Sequence, residues 1–156
     1  GIHEYVYGVQ TNQNIQQDAV FPSRMVRTKK YKYIRNFNSI EVVEKNYGDN
    51  EYVNAFLKRG AEKFKHIPFE ELFDIENDPF EQVNLAKNTN YKEIKDGLIE
   101  ELYNWMNEQG DFLVKENYMP ILKPVNNYLD RTSKFKTVPK ELENTLKEED
   151  YLILHY

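Results

Sequence analysis

Residues 24–35 read RMVRTKKYKYIR and decide the fold of this chain. Two β-prone runs, residues 25–28 and 31–35, flank the pair Lys29-Lys30. Such runs on either side of a short polar turn are typical of a β-hairpin, although this turn lacks the usual Asn-Gly pair. We therefore predict two neighbouring antiparallel strands here.

Further strands are predicted on either side of this hairpin. Residues 3–9 are β-rich, and residues 10–18, which are mostly amide, hydroxyl or acid, predict a loop. Residues 70–75 predict another strand. Residues 76–79 predict a turn after it, because Pro79 has a fixed φ and restricts the residue before it. Residues 151–154 predict a last strand, and residues 41–65 predict a short helix inside an irregular excursion.

One long amphipathic helix is predicted over residues 90–109. Its apolar side chains recur at three- and four-residue steps, with Asn90 as N-cap, Glu93 at the capping-box position and Gly110 as the stop. The predicted fold class is α+β, with a small antiparallel sheet of about four strands packed against this helix, plus short helices. Residues 1–112 form the domain, and residues 113–156 are expected to be an extension packed on it.

Composition excludes several classes of function. A chain of 156 residues fits one domain, and without Cys it can have no thiol nucleophile, thiolate zinc site or iron–sulfur cluster. A net charge of −5 argues against general binding of nucleic acid. No apolar run approaches the ~18–20 residues of a membrane span. We therefore expect neither nucleic acid nor a membrane as a partner.

The hairpin is nevertheless rich in positive charge. Six cations fall within its twelve residues: Arg24, Arg27, Lys29, Lys30, Lys32 and Arg35. Interleaved with two tyrosines, they are typical of a surface that binds nucleic acid or another polyanion. A solvated face of the hairpin explains the same pattern, and both interpretations stay open.

No complete active site can be assembled from the residues alone. The acids Asp74, Glu76, Asp78 and Glu81 supply oxygen atoms, but a calcium loop needs a glycine at the bend and a bidentate carboxylate at a fixed distance. A turn with capping acids explains them better. The three histidines lie far apart, and there is no phosphate loop, G-x-S-x-G elbow or H-E-x-x-H motif.

Three blocks of the sequence resemble the C-terminal subdomain of type I sulfatases. Residues 22–36 are similar to the hairpin that opens this subdomain, where the pattern R-x-V-R-T-x-x-Y-K-Y-I recurs. Residues 71–86, ELFDIENDPFEQVNLA, are similar to the block E-L-Y-D-L-x-x-D-P-x-E-x-x-N-L-A. An amphipathic helix with a Trp-Met pair and then Gly-Asp follows, here Trp105-Met106 and Gly110-Asp111. Residues 8–11 and the helical excursion are similar to the heparan N-sulfatase (N-sulfoglucosamine sulfohydrolase) branch.

The resemblance implies a catalytic apparatus that this chain lacks. Family enzymes convert the Cys or Ser of a C/S-x-P-x-R motif into formylglycine, whose hydrate attacks sulfur, while Asp and Asn ligands hold calcium against the sulfate oxygens. Residues 20–24 imitate the motif, but Val20 stands where the Cys or Ser must be. We therefore expect this fragment to be inactive alone, with no catalytic or metal-binding residue, and expect formylglycine and calcium in a missing N-terminal domain.

The resemblance also implies partners and a place for substrate contacts. The expected partners are the protein's own N-terminal catalytic domain and a sulfated glycan such as a glycosaminoglycan, in a parent hydrolase that is periplasmic or secreted. The polar loop supplies hydrogen-bonding groups for sugar hydroxyls, and an arginine can meet sulfate. The candidate substrate-binding residues are Gln10, Thr11, Asn12, Gln13, Arg24 and Arg27. The alternative interpretation also stays open, that this is a plain surface loop and that the arginines form ion pairs with acids of a neighbouring strand. So do a stand-alone carbohydrate- or polyanion-binding module and a purely structural interaction domain.

Overall fold

In a computed structural model of the chain, the hairpin forms the middle of a four-stranded antiparallel sheet. The structure describes residues 4–10, 22–58, 61–111, 113–114, 121–122, 145 and 147–152. The strands of this sheet, in spatial order, are β1 (Val6–Gln10), β2 (Ser23–Arg27), β3 (Tyr31–Asn36) and β4 (Glu70–Asp74). The α-helices in this part of the chain are α1 (Ile40–Tyr47), α2 (Glu51–Lys58) and α3 (Lys92–Glu108). The predicted α+β class is confirmed.

The turn between β2 and β3 is closed by Thr28 instead of an Asn-Gly pair. The backbone N–H of Thr28 donates to the carbonyl oxygen of Tyr31 over 2.8 Å. In return, the Thr28 hydroxyl oxygen accepts from the backbone N–H of Tyr31 at 2.9 Å. A threonine hydroxyl can replace a backbone turn in this way because it reaches the same donors.

Strand register divides the sheet into two faces. One row across it contains Tyr7, Val26, Tyr33 and Leu72. Val26, Tyr33 and Leu72 are fully buried, and they belong to one core with Leu98, Leu102 and Met106 of α3. Because side chains alternate along a strand, the intervening positions lie on the opposite face. We call these surfaces the helix face and the open face.

Helix α3 covers the helix face as predicted, but it begins later than predicted. A 3₁₀ turn at Thr89–Tyr91 precedes it, and the Asn88 side chain accepts a hydrogen bond from the backbone N–H of Asn90. The N-cap is Tyr91, so the prediction of Asn90 was wrong; Asn88 is an equally good capping residue two positions earlier and starts the turn first. The predicted stop is confirmed, since Gly110 has a φ of 65°.

Residues 41–65 form a second, smaller core. The structure places two helices and a 3₁₀ turn (Ala61–Phe64) where one short helix was predicted. Gly48 separates the helices because its φ of 59° suits glycine, and its N–H closes α1 on the carbonyl oxygen of Glu44. Ile40, Val43 and Val53 are buried together in this core.

The C-terminal extension is described only in part. The predicted strand at residues 151–154 is confirmed at β6 (Tyr151–Leu152), which pairs with β5 (Ile121–Leu122) in a separate two-stranded ladder. The sequence also predicts an extended connector marked by Pro120 and Pro124, within which β5 lies, and a short helix over residues 139–149. Most of that helix lies outside the described residues, although Glu148–Asp150 forms a 3₁₀ turn. Among the helices that the structure describes, none has the length and apolar character needed to cross a membrane.

Candidate functional site

The candidate substrate-binding residues begin where β1 ends. Gln10 is the last residue of β1, is exposed, and pairs with Ser23 at the start of β2. Thr11, Asn12 and Gln13 lie outside the described residues. Gln10 therefore marks the base of the predicted loop, and the structure shows what holds that base in place.

Arg24 fixes this corner of the sheet. Its Nε donates to Asp111 Oδ2 at 2.5 Å and its second terminal nitrogen donates to Asp111 Oδ1 at 3.2 Å. The other terminal nitrogen donates to the carbonyl oxygens of Gln10, at 3.2 Å, and Ser23, at 3.0 Å. The side chains of Arg24 and Asp111 are 3% and 8% exposed. One guanidinium thus ties the ends of β1 and α3 together.

The partner of Arg24 differs from the one considered in the sequence. An acid on a neighbouring strand was the expected partner if the arginine was structural, whereas Asp111 directly follows Gly110 at the end of α3. The Gly-Asp pair that contributes to the sulfatase resemblance was the available signal. Breaking a buried pair by removing one partner typically costs 3–5 kcal/mol, so Arg24 has a structural role in this chain whatever else it contacts.

Arg27 lies on the other face of the sheet. It is exposed at the end of β2 and pairs in register with Val6 and Lys32. Positions three apart on a strand point to opposite faces, so Arg24 and Arg27 serve different surfaces. Among the described residues Arg27 forms no ion pair.

A shallow depression of about 260 Å³ lies along β1, β2 and β3. Its lining includes Gly8, Met25 and Ile34 of the open face, together with residues of the Gln10 and Arg24 corner. Gly8 lets Met25 lie flat across β1, because a Cβ at position 8 would stand 2.9 Å from Met25 Cγ. The depression is therefore mostly apolar, with Lys32 at its side.

Four of the six hairpin cations have carboxylate partners. They are Arg24 with Asp111, Lys30 with Glu76, Lys32 with Glu81, and Arg35 with Glu70. These cations lie on both faces of the sheet and their charge is largely matched. The arrangement favours a structural use of the cations over a continuous surface for a polyanion.

Sequence reasoning missed a polar cluster around Arg35. Glu70 accepts hydrogen bonds from Tyr33 at 2.7 Å, Lys95 at 3.0 Å and Arg35 at 3.2 Å. Arg35 also donates to the Tyr103 hydroxyl at 2.5 Å, and its guanidinium lies 4.9 Å from the centre of the Phe69 ring. Its members come from β3, β4 and α3, and a pattern in one segment could not reveal them.

The pKa values in this cluster follow from burial and charge. Burial by itself raises the pKa of the Glu70 carboxyl, but hydrogen bonds from Tyr33 and Lys95 and the nearby positive charges outweigh it, so the pKa is lowered. Burial, together with the hydrogen bond to Glu70, raises the pKa of the Tyr33 hydroxyl well above its ordinary range. Glu70 is therefore ionised and Tyr33 neutral at pH 7.

The acidic turn after β4 uses its carboxylates to hold itself together. Asp74 accepts hydrogen bonds from the backbone and the side chain of Asn77, at 3.2 and 3.0 Å. The hydrogen bond from the Asn77 side chain is the largest cause of the lowered pKa of Asp74. Asp78 accepts from the backbone N–H of Val83 at 2.8 Å. Glu81 is bound to Lys32, and the described part of the chain contains no cluster of three or more His, Cys, Asp or Glu side chains that could hold a metal ion.

Comparison with known proteins identifies sulfatases as relatives. An ulvan-active sulfatase of Formosa agariphila is 51% identical over 160 residues, which cover 99% of this chain and 32% of that protein. A second ulvan-active sulfatase of the same organism is 31% identical over 120 residues, covering 69% of this chain and 20% of the relative. A solved 2-O GAG sulfatase has a TM-score of 0.47 and 26% identity over 70% of this chain and 17% of its own. No protein-family model matches the chain.

These relatives are much longer than the chain. It spans 32% and 20% of the length of the two curated sulfatases that it matches. The chain is therefore homologous to a segment of sulfatases.

Proposed function

We propose that this chain is the C-terminal subdomain of a sulfatase, a hydrolase that cleaves the sulfate esters or sulfamates of sulfated glycans. The observation that carries the proposal is 51% identity to an ulvan-active sulfatase over 99% of the chain. The fold agrees with it, because the hairpin, β4 with its turn, and α3 pack around one core. In this proposal the subdomain supports the catalytic domain and has no activity of its own.

The proposed substrate is a sulfated polysaccharide, with ulvan the first candidate. Both curated relatives are ulvan-active sulfatases, which supports this choice. The resemblance of residues 8–11 and of the helical excursion to heparan N-sulfatases makes N-sulfoglucosamine the second candidate. The two substrates differ in the bond that is cleaved, an O–S ester against an N–S sulfamate, so an assay can separate them.

The proposed contribution to substrate binding is the loop that follows Gln10. Thr11, Asn12 and Gln13 supply hydroxyl and amide groups that pair with sugar hydroxyls. Arg24 holds the base of this loop through the carbonyl oxygen of Gln10, so its role there is positioning. Arg27 is exposed on the open face and is free of the Asp111 pair, which leaves it as the arginine able to meet a sulfate.

The catalytic groups are proposed to lie in the remainder of the longer protein. This chain contains no Cys, and Val20 occupies the position that a formylglycine precursor would need. Its acidic turn does not fit calcium, because Asp74, Asp78 and Glu81 are already engaged. Formylglycine and calcium are therefore assigned to the N-terminal domain of a periplasmic or secreted parent enzyme.

The proposal is tested with two proteins, the full-length enzyme and the 156-residue chain. Both are assayed on ulvan, on N-sulfoglucosamine and on an aryl sulfate, and released sulfate is measured. We expect sulfate release from ulvan by the full-length protein alone. Release from N-sulfoglucosamine instead would move the enzyme to the second candidate substrate. Turnover by the short chain that survives repurification, or none by the full-length protein on any of the three, would reject the proposal.

A further inference from the structure

We propose that a depression beside the start of α3 binds a sulfated sugar unit of a polysaccharide chain, at a distance from the loop that follows Gln10. The depression has a volume of about 370 Å³ and is lined by the start of β4, the segment at residues 86–89 and the first turns of α3. This inference rests on the part of the proposed function that names a sulfated polysaccharide as the substrate. It adds a second place at which that polymer is held.

Three lysines line the depression, and they differ in how freely they can move. The side chains of Lys87 and Lys92 are 82% and 71% exposed, whereas that of Lys95 is 19% exposed. Lys95 is held in place by Glu70, whose Oε2 accepts from its Nζ at 3.0 Å. The ion pairs that Lys87 and Lys92 form with carboxylates are exposed, and such pairs contribute little to stability. Both ammonium groups can therefore turn to a ligand at small cost.

The carboxylates in the lining favour a sugar over a bare anion. Asp96 and Glu70 stand among the lysines, so the charge of the depression is mixed. A small, highly charged anion is repelled by these two groups, and a nucleic acid brings a phosphate to them at every step. A sulfated sugar carries one anionic group for an ammonium and several hydroxyls, which can donate to the half-exposed Asp96 carboxylate. A sugar unit thus matches both signs of charge.

The segment at residues 86–89 supplies neutral polar groups on a fixed backbone. Asn88 and Thr89 provide an amide and a hydroxyl that can pair with sugar hydroxyls. The backbone N–H of Asn88 donates to the carbonyl oxygen of Leu85 at 2.9 Å, and its side chain accepts from the N–H of Asn90 at 3.0 Å. Contacts from such a fixed backbone cost little ordering on binding. The methylene stems of the lysines add apolar surface for the C–H groups of a sugar ring.

The position of the depression determines the length of glycan that can use it. The depression lies at the start of α3, whereas the Arg24–Asp111 pair lies just beyond the end of this helix. A helix of 17 residues is about 25 Å long. A short oligosaccharide bound at the loop after Gln10 therefore does not reach the depression, whereas a polymer can contact both. The second contact of one polymer chain forms at high effective concentration, so the two together hold it more tightly than either alone.

The test measures the binding of polymeric ulvan to the full-length protein at several salt concentrations. Lys87→Gln/Lys92→Gln removes the two exposed cations and leaves Lys95 in place. Lys63→Gln/Lys65→Gln is the matched control, because it removes the same charge from two exposed lysines beside the 3₁₀ turn after α2. We expect the Kd for ulvan to rise at least about threefold in the first variant and to stay unchanged in the control.

Two further readouts separate a binding site from a structural effect. Binding by Lys87→Gln/Lys92→Gln should depend less steeply on salt, because each cation that contacts a polyanion releases a counterion. Its thermal unfolding should match that of the control, since both pairs of lysines are exposed. On a short ulvan oligosaccharide, kcat/KM should be the same for both variants.

Equal affinities of the two variants for ulvan would overturn the inference. So would a difference that persists on chemically desulfated ulvan, because the recognised group would then not be sulfate. The same samples are assayed for sulfate release. Binding that depends on Lys87 and Lys92, without sulfate release from any substrate, supports the site and rejects the sulfatase activity. Sulfate release with equal affinities does the reverse.

Discussion

Arg24 and Arg35 stand directly opposite each other on β2 and β3, yet the protein stabilises them in different ways. Like charges at facing positions of a sheet repel, so each arginine needs its own compensation. Arg24 forms a buried pair with the carboxylate of Asp111. Arg35 shares Glu70 with Tyr33 and Lys95 and lies against aromatic rings. The first arrangement centres on one bidentate pair, whereas the second distributes its charge over several groups.

The difference predicts which arrangement tolerates damage. Loss of Asp111 removes the bidentate carboxylate from a buried guanidinium, while loss of the Glu70 charge leaves Arg35 bound to Tyr103 and partly solvated. Removing a partner from a buried charge is among the most destabilising substitutions known, but a shared and partly exposed cluster can relax.

The largest effect is therefore expected for Asp111→Ala. The free energy of unfolding should fall by about 3–5 kcal/mol, because the buried guanidinium loses its bidentate carboxylate. The double variant Arg24→Met/Asp111→Leu should regain most of this loss, since neither charge then remains. Urea denaturation measures both. A loss below about 1 kcal/mol for Asp111→Ala would mean that this pair stabilises the fold no more than an exposed ion pair does, and the proposed difference between the two arginines would be wrong.

A smaller effect, with a pH signature, is expected for Glu70→Gln. At pH 7 the loss should be about 1.5–3 kcal/mol, the usual range for hydrogen bonds to a charged group. Because the pKa of Glu70 is lower in the folded protein than its ordinary value of 4.5, the unfolded chain binds the proton first as pH falls. The stability that Glu70 contributes is thus present above pH 4.5 and is lost as pH falls further, through the folded pKa.

The variant isolates this contribution. The lowered pKa values of Glu41 and Asp74 add to the same acid slope in both proteins, so only the difference between them reports Glu70. Thermal unfolding between pH 7 and pH 3 should show a shallower decline for Glu70→Gln than for the unchanged protein. Parallel declines would mean that Glu70 has the same pKa folded and unfolded.

The sequence predicts the elements of this fold better than the partners of its charges. The hairpin, β4 and the end of α3 at Gly110 follow from residues close together in the chain. Arg24 and Asp111 are 87 positions apart, and Arg35 and Tyr103 are 68 apart. Which acid meets which arginine depends on how α3 crosses the sheet, and no local pattern contains that information. The local error at Asn90 arose because two asparagines competed for one cap.

The same limit applies to the candidate site. Composition indicated a polar loop at residues 10–18, and the positive charge of the hairpin was evident. The sequence did not reveal that Arg24 would hold Gln10, nor which of the two arginines would be buried. Alternation along β2 predicts opposite faces for these two residues, but only the packing of α3 decides which face is buried.

The smallest effect on activity is expected for a substitution in the loop after Gln10, whose base Arg24 holds. It tests whether Arg24, unlike Arg35, supports substrate binding. In the full-length enzyme, Asn12→Ala should lower kcat/KM on an ulvan oligosaccharide by roughly 2- to 12-fold, the equivalent of one neutral hydrogen bond of about 0.5–1.5 kcal/mol. An aryl sulfate, which lacks the remote sugar contacts, should be nearly unaffected, because binding energy from those contacts helps to position the reacting group. Asn104→Ala on the exposed side of α3 is the matched control and should leave kcat/KM unchanged on both substrates.

Glu70→Gln, which weakens the Arg35 cluster away from the loop, is the second control. It should not distinguish the two substrates, so any loss of kcat/KM should be equal on both. Equal losses on the two substrates for Asn12→Ala, or none on either, would remove the loop from the substrate pocket and leave Arg24 with a purely structural task, like that of Arg35.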